Sequence, residues 1–442
     1  MKKTSGSLTN DVTKNGVTNA LTVREKSWIM YDWANSVYAT IMMAAIFPVY
    51  FTGLVNRTGA AGDAWWSAGT AIAMVITAVL SPIAGAIADY AGYKKKLFVF
   101  FLALGAGATL LCAAFGTWQL MLVCTILSRI GFSASVMLYD SFLPDVTTPE
   151  RMDRVSGLGF AFGYIGGSTI PFVASIALIQ FGPRIGVNGD AAVKIALLLT
   201  ALWWLAFSIP FLKNVTQIHS VAKPEREIVK KTFSAIAAAA VKIFRHKPLF
   251  FFIIAYFFYI DGVGTIINMS TSYGETLGIN TVGMITALLV TQLIAFPCAI
   301  LFARLSGRFG SLRMLFCAVC VYLGISGVGF IMGFGLETTL FDKNTALVLF
   351  WVLAVLVGMV QGGIQAVSRS HFAKLVPPEN AGEFFGFFDI FGKFASVMGP
   401  TLYAVVKTVT GRSSFAILSI TLLFIIALAV FAAKGKTMTI NK

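Results

Sequence analysis

Twelve apolar runs, each long enough to cross a bilayer as a helix, follow one another along this chain. A membrane-spanning helix needs about 20 residues that are mostly apolar. Only 12% of the residues are charged and 57% are hydrophobic, whereas soluble domains carry about 25% charged residues. Because helices satisfy their own backbone polar groups, the pattern predicts an all-α membrane protein. The runs lie at roughly 28–54, 65–88, 96–115, 118–140, 157–180, 192–212, 249–272, 282–303, 314–335, 345–367, 384–407 and 412–433.

Lysines and arginines are shared unevenly between the two sides of the predicted membrane. Of the 34 basic residues, 26 fall in segments on the side of the amino terminus, 6 on the other side and 2 inside the runs. Basic loops stay in the cytosol, so both termini and the central loop are expected to be cytosolic in a multi-pass protein of the cell membrane. The net charge of +15 is therefore attributed to basic loops at the cytosolic lipid surface. No nucleic-acid partner is expected.

The runs form two sets of six around one long basic segment. Residues Glu225 to Phe244 within it are predicted to form an amphipathic helix on the membrane surface. The predicted domains are a disordered cytosolic tail over 1–27, a six-helix bundle over 28–212, a basic cytosolic linker over 213–248, a second six-helix bundle over 249–433 and a cytosolic tail over 434–442.

Short motifs recur in the two sets at a constant spacing. PERMDRVSGLGFAFG begins at residue 149 and PENAGEFFGFFDIFG at residue 378, a separation of 229 (378 − 149). Asp32 and Asp261 are separated by the same number (261 − 32). Two halves related in this way match the parallel repeats of major facilitator transporters. The sequence therefore predicts twelve transmembrane helices in two pseudo-symmetric six-helix bundles, the major facilitator fold.

The loop between the second and third runs resembles the signature of that superfamily. It reads GAIADYAGYKKK and places Gly85, Asp89, Gly92, Lys94 and Lys95 at the superfamily's spacing. The glycines permit a tight turn, Asp89 is suited to cap a neighbouring helix, and the lysines are expected to hold the loop at the cytosolic surface. The corresponding loop of the second set, ARLSGRFGSLR, has glycine in place of the aspartate.

Three longer stretches carry a closer resemblance. They are YDWANSVYATIMMAAIFPVYF (31–51), SGLGFAFGYIGG (156–167) and QAVSRSHFAKLVPPENAGEFFGFFDIFGKFASVMGP (365–400). They resemble the unknown-major-facilitator family, which includes the fungal vacuolar amino-acid effluxer. The resemblance covers nearly the whole chain and implies a twelve-helix secondary transporter, with amino-acid efflux as the activity of the fungal relative.

Five charged residues lie inside the apolar runs and away from their ends: Asp32, Arg129, Asp261, Asp389 and Lys393. Charges at membrane depth cost several kcal/mol and usually face a cavity or a partner. The resemblance implies that their helices line or flank a central cavity. An aspartate on the first helix with an arginine on the fourth resembles the proton-coupling pair of sugar symporters. Asp32 and Arg129 are therefore predicted to couple transport to protons.

Structural explanations stand beside these functional ones. Asp32 also suits a cap or ion pair at the cytosolic interface, and Asp261 suits a helix–helix hydrogen bond. Asp389 and Lys393 are four residues apart, so they are able to neutralise each other on one helix face. The glycines of GLGFAFG (157–163) are interpreted as a helix-packing face, because no strand precedes them as a nucleotide fingerprint requires.

A set of charged and neutral polar residues is predicted to bind the solute. Both acids and bases belong to it, which suits an amphoteric molecule. The predicted set comprises Asn35, Tyr38, Arg129, Asp261, Asn268, Gln361, Gln365 and Lys393.

The predicted function is secondary active transport of a small polar solute, zwitterionic such as an amino acid or small peptide, by proton-coupled alternating access. Efflux of amphipathic compounds and uptake of sugars or muropeptides remain alternatives. The chain has no HExxH, GxSxG or Walker motif and its cysteines have no metal-site spacing, so no enzyme activity, cofactor or metal is expected. A monomer is expected to suffice.

Overall fold

A computed structural model describes residues 20–222, 241, 243–276 and 281–439 of the protein. Each predicted run coincides with one long helix. Eleven of these helices are long and apolar enough to cross a membrane; the other, α11, carries Asp389 and Lys393. The helices are α1 Val23–Asn56, α2 Gly62–Ala88, α3 Lys94–Ala114, α4 Trp118–Ser141, α5 Met152–Ile185, α6 Gly189–Asn214, α7 Lys247–Thr276, α8 Thr281–Phe309, α9 Ser311–Glu337, α10 Lys343–Leu375, α11 Ala381–Thr410 and α12 Ser413–Met438.

Several helices extend beyond the predicted apolar runs; α10, for example, ends at Leu375, whereas its run ends at 367. Helix α1 begins at Val23 rather than at 28, because Thr22 and Glu25 form a capping box in which each side chain accepts a hydrogen bond from the other's backbone N–H. Helix α12 continues to Met438, beyond the predicted end at 433. The first 19 residues and most of the predicted amphipathic helix lie outside the described residues.

Helices α1 and α5 each contain one π-helical stretch, at Ala39–Ala45 and Gly163–Thr169. The two helices approach so closely that a Cβ on Gly159 would lie 2.2 Å from Oδ2 of Asp32, and one on Gly163 would lie 2.6 Å from Oγ of Ser36. The predicted packing role of this glycine run is therefore confirmed. Short π-helical stretches often occur at functional sites, and Asp32 lies about two turns before the first of them, which begins at Ala39.

The loops after α2 and α8 turn at equivalent glycines. Gly92 has φ +78° and Gly310 has φ +93°, a conformation that side chains with a Cβ rarely adopt. The shared turn relates the N-half, α1–α6, to the C-half, α7–α12. Between the halves, α2 packs against α11, and α5 packs against α8 and α10. We call the end where α1 begins and α12 ends the termini end, and the opposite one the far end.

Candidate gate and solute cavity

Arg369 of α10 joins the two halves at the termini end. Its Nη2 donates to Oδ2 of Asp32 on α1 at 2.9 Å, and its Nη1 donates to Oδ1 of Asp140 on α4 at 2.9 Å. Its Nε donates to Oγ of Ser156 on α5 at 2.9 Å. Only 4% of Arg369 is exposed. One guanidinium of the C-half therefore binds three helices of the N-half.

Aromatic rings enclose the same guanidinium. Its carbon lies 4.5 Å from the ring centre of Trp28 and 4.4 Å from that of Phe160. Tyr139 lies farther away, at 5.5 Å. A desolvated guanidinium over aromatic faces adds about 2 kcal/mol or more per contact, and arginine stacks in this way where lysine does not. The rings therefore shield the guanidinium from water, which strengthens its ion pairs.

Asp140 and Arg369 occupy equivalent positions in the two repeats, 229 residues apart (369 − 140). An acid in the first copy corresponds to a base in the second. The repeat thus supplies opposite charges to the two halves at one depth, and the pair meets where the halves close.

A second inter-half cluster surrounds Asp153 at the start of α5. Its carboxylate accepts hydrogen bonds from Ser306 at 2.7 Å and Ser370 at 2.6 Å, and it pairs with Nζ of Lys374 at 2.6 Å. Ser306 lies in the last turn of α8, within the segment 303–313 that lacks the signature aspartate. The second copy of the loop therefore contributes a hydroxyl donor rather than a carboxylate.

The signature loop supplies a third inter-half contact. Asp89 accepts hydrogen bonds from the backbone N–H groups of Gly382 at 2.7 Å and Glu383 at 2.8 Å, and so caps the N-terminus of α11. Gly85 allows this approach, since a Cβ there would lie 2.1 Å from the carbonyl oxygen of Gly382. The predicted capping role of Asp89 is confirmed, and the capped helix belongs to the other half.

The role predicted for Lys94 is wrong. Its side chain is fully buried and pairs with Oδ2 of Asp145 at 2.9 Å. The other oxygen of Asp145 accepts hydrogen bonds from the backbone N–H groups of Ile218 and His219. Burial raises the pKa of Asp145, but Lys94 and the His219 contacts outweigh it, so the pKa lies below its ordinary value. Lys94 therefore ties the first linker residues to the N-half instead of meeting lipid head groups, whereas Lys95 lines an open surface cavity.

The contacts around Arg369, Asp153 and Asp89 distribute acids and hydrogen-bond donors between the halves in the same way. The acids belong to the N-half and their donors to the C-half. The acids are Asp32, Asp89, Asp140 and Asp153, and the donors are Arg369, Lys374, Ser306, Ser370 and the first N–H groups of α11. We call this set the gate.

Asp89 is expected to make the contact between the two halves depend on pH. Burial raises its pKa to about 7, against the opposing effects of Lys94 and the two capping N–H groups. When the halves separate, water restores a pKa near the ordinary value of 3.8, so closure takes up protons between these values. We expect the ratio of closed to open protein to fall with rising pH by up to about tenfold per unit within this interval, and to level off above it.

Asp89→Asn should remove this component of the pH dependence, because an amide does not titrate. Distances between spin labels on the two halves at the termini end, recorded across the pH range, measure it. An identical pH profile in the variant and the unchanged protein would contradict the assignment to Asp89.

A cavity of about 400 Å³ lies toward the far end. It extends from Met43 and Ala44 of the π-helical stretch of α1 into the C-half, and Phe350 and Ile417, close to the far-end starts of α10 and α12, line it. Its remaining walls are mainly aliphatic. The polar groups on it are the side chains of Asn268, Ser270, Thr291, Gln292, Ser326 and Gln361.

The amides of the cavity include two residues of the predicted solute-binding set, Asn268 and Gln361. Gln292 joins them, and its Oε1 has no hydrogen-bond partner among the described residues. Gln365 is half-buried one turn nearer the gate and is not part of the lining. A ligand group that donates a hydrogen bond would satisfy Gln292.

Arg129 does not meet Asp32, contrary to the expected pairing. Its guanidinium carbon lies 5.0 Å from the ring centre of Trp66, and its Nε has no hydrogen-bond partner within the described part of the chain. Depth along the helix was compatible with the pair, but the direction in which each side chain leaves its helix is not. Asp32 points toward α5 and α10.

Lys393 pairs with Asp389 on its own helix, and Ser81 of α2 contacts both. The intrahelical alternative thus describes this pair. Asp261 instead accepts a hydrogen bond from the backbone N–H of Gly399 at 2.9 Å.

The last two residues of the predicted set lie inside the N-half. Tyr38 stacks on Phe132 at 4.4 Å between ring centres. Asn35 is buried, and its Nδ2 has no partner among the described residues. Neither residue lines the far-end cavity. His371 of α10 is only 2% exposed, and its Nδ1 contacts Oγ of Ser311 at 2.8 Å.

Sequence reasoning missed Arg369, Asp140 and Asp153 as functional candidates. Each lies near a helix end, where charged residues are ordinary. The 229-residue offset that links Asp140 to Arg369 was a usable signal, since it aligns an acid with a base.

Comparisons with known proteins agree with this architecture. The family described as "Vacuole effluxer Atg22 like" matches residues 63–434. The "Uncharacterized MFS-type transporter YxiO" of Bacillus subtilis is 45% identical over 418 residues, covering 93% of this chain and 94% of the relative. "Autophagy-related protein 22" of Eremothecium gossypii is 24% identical over 376 residues, covering 77% and 71%.

Solved structures share the fold at low sequence identity. A bacterial homologue of the iron transporter ferroportin, in its outward-facing state, superposes with a TM-score of 0.69 at 13% identity, covering 94% of this chain and 100% of that one. The fucose:proton symporter of E. coli gives a TM-score of 0.60 at 15% identity, covering 93% and 97%. The chain therefore belongs to the vacuole effluxer Atg22-like family, within the major facilitator superfamily of transporters.

Proposed function

We propose that this protein is a proton-coupled secondary transporter that moves an amino acid or small peptide across the cell membrane. The observation that carries the proposal is the combination of a charged seal at one end and a cavity of about 400 Å³ at the other. A cavity of this size is within the range of small-molecule sites. One closed end and one accessible cavity are what alternating access requires.

The uneven distribution of lysine and arginine supports a cytosolic termini end. In that orientation the gate closes the cytosolic entrance, and the far-end cavity faces outward. Transport then requires the N-half to move away from Arg369 and Lys374 while the far end closes around the solute.

The distribution of charge in the gate, with acids on the N-half and cations on the C-half, favours a zwitterionic solute. As the halves separate, carboxylates line the N-half and Arg369 remains on the C-half, so an ammonium group and a carboxylate on one solute meet opposite charges. A solute that binds both walls compensates for the lost pairs between Arg369 and the two aspartates. The effluxer description of the family supports export as the direction.

The lining of the cavity favours a second candidate, the efflux of amphipathic compounds. Every described residue that lines the cavity is uncharged, and most are aliphatic. Burying an unpaired ammonium or carboxylate there would cost several kcal/mol. A solute with an apolar body and neutral hydrogen-bonding groups fits these walls without that cost.

Counterflow in proteoliposomes tests the proposal. Vesicles are preloaded with single amino acids, dipeptides, sugars or amphipathic cations, and the exchange of the labelled compound is measured. We expect exchange with amino acids or dipeptides and competition among members of that class. If only sugars or only amphipathic cations exchange, the proposed substrate class of amino acids and small peptides is wrong. If none of the compounds exchanges, the result contradicts transport of all these solutes.

Gln361→Leu serves as a matched cavity variant. It keeps the side-chain volume, removes the amide from the lining and leaves the gate contacts untouched. It should weaken solute exchange while the termini end remains closed.

A further inference from the structure

Asp261, in the middle of α7, is a fully buried carboxyl that has no cationic partner among the described residues. Its exposed fraction is 0%. Oδ1 accepts one hydrogen bond from the backbone N–H of Gly399 at 2.9 Å, and Oδ2 has no partner among the described residues. An ionised carboxylate in apolar surroundings needs several hydrogen bonds or a cation. One backbone donor leaves the negative charge largely uncompensated.

The equivalent aspartate of the first repeat is in the opposite situation. Asp32 receives two hydrogen bonds from the guanidinium of Arg369, the shorter at 2.9 Å. The two aspartates are 229 residues apart and lie on equivalent helices. The geometry stabilises the ionised form of Asp32, but it provides no such stabilisation for Asp261.

The elements packed around Asp261 supply no compensating charge. On α11 the charged residues nearest to Gly399 are Lys393 and Lys407. Lys393 is six residues away, about 9 Å along the helix, and pairs with Asp389; Lys407 is eight residues away, about 12 Å along the helix. Helix α12 has no ionisable residue between Arg412 and Lys434, and its Phe424 packs against Gly262. The neighbouring titratable groups of α7 and α9 are the phenols Tyr259 and Tyr322, and Arg369 on α10 is held by its two aspartates.

Close packing of α7 on α11 keeps water from this carboxyl. A Cβ on Gly399 would lie 2.1 Å from Oγ1 of Thr265 and 3.0 Å from Oδ1 of Asp261. Ile266 and Ile267 of the same helix line the far-end cavity. They follow Asp261 by five and six residues, about 7.5 to 9 Å along the axis. A small displacement of α11 from α7 would therefore open a path from the carboxyl to cavity water.

We propose that Asp261 carries a proton while the termini end is closed, and that it is the residue that binds and releases the transported proton. Release breaks the O–H bond, transfers the proton to water and leaves the carboxylate; uptake is the reverse reaction. This proposal rests on the proposed proton-coupled transport. It assigns the proton to α7 of the C-half rather than to the predicted pair of Asp32 with Arg129.

Infrared difference spectroscopy tests the proton directly, without any solute. The purified protein at neutral pH should show the C=O stretching band of a protonated carboxyl, shifted in D₂O, in the difference between the unchanged protein and Asp261→Asn. Asp32→Asn should leave this band in place. Absence of the band from that difference spectrum would overturn the proposal. If Asp261→Asn does not fold, Asp261→Glu replaces it, and the band should then shift in position relative to the unchanged protein.

Transport assays distinguish a role of Asp261 in proton coupling from a purely structural role. A mixture of radiolabelled amino acids is the probe. One coupled proton allows a gradient of about one pH unit to drive up to about tenfold accumulation. Asp261→Asn should abolish this accumulation and retain counterflow, because asparagine still accepts from Gly399. A variant that accumulates amino acids normally would overturn the coupling role. If the unchanged protein shows no counterflow of the mixture, the proposed substrate class fails, while the infrared result still decides whether Asp261 holds a proton.

Discussion

Arg369→Gln is expected to shift the protein toward a state that is open at the termini end. The substitution removes the cation that Asp32 and Asp140 share and leaves the buried carboxylate of Asp32 facing the partly exposed carboxylate of Asp140. Removing one partner of a buried ion pair costs about 3–5 kcal/mol. Each 1.4 kcal/mol is about tenfold in an equilibrium, so the closed fraction should fall by at least about a hundredfold relative to the open one.

Spin labels at Lys96 and Arg308 provide the measurement. Both residues are exposed at the termini end, one on each half, and the native cysteines are replaced beforehand. Arg369→Gln should lengthen the distance between the labels. Arg129→Gln is the control, because Arg129 contacts Trp66 and makes no ion pair within the described chain. Equal lengthening in both variants would show that arginine loss in general, rather than the gate, opens the protein.

Neutralising both aspartates provides a stricter version of this experiment. With Asp32→Asn and Asp140→Asn in place, no buried carboxylate remains for Arg369 to compensate. The effect of adding Arg369→Gln should then fall well below its effect in the unchanged protein, since coupled charges are not additive.

Lys94→Met is expected to destabilise the folded protein by about 3–5 kcal/mol, because it leaves Asp145 as a buried carboxylate without its cation. Both side chains of this pair have 0% exposure. Loss of the pair also weakens the attachment of Ile218 and His219 to the N-half. Thermal denaturation in detergent, followed by loss of the monodisperse peak, measures the change as a lower transition temperature.

Lys96→Met is the matched control for Lys94, since Lys96 is exposed two residues away and pairs with no acid among the described residues. It should leave the transition temperature nearly unchanged. Combining Lys94→Met with Asp145→Asn should recover part of the lost stability, because the unpaired charge is gone. Equal transition temperatures for Lys94→Met and Lys96→Met would contradict the buried ion pair.

The apolar runs and the repeat spacing determined much of the architecture. Helix formation and membrane insertion depend on residues that are adjacent in sequence, so all twelve helices were predictable. The 229-residue offset related the halves, and the equivalent turns at Gly92 and Gly310 agree with it. The capping box at Thr22 was also a local signal, and it accounts for the earlier start of α1.

Only the tertiary structure decided which charges meet. Sequence places Asp32 and Arg129 at compatible depths, yet the arginine that binds Asp32 is Arg369, 337 residues away. Lys94 resembles the lysines beside it but is buried against Asp145. The physical reason is that an ion pair depends on the rotation of each helix and on how the two halves meet. Those quantities arise from packing between distant segments, which the local periodicity of the sequence does not contain.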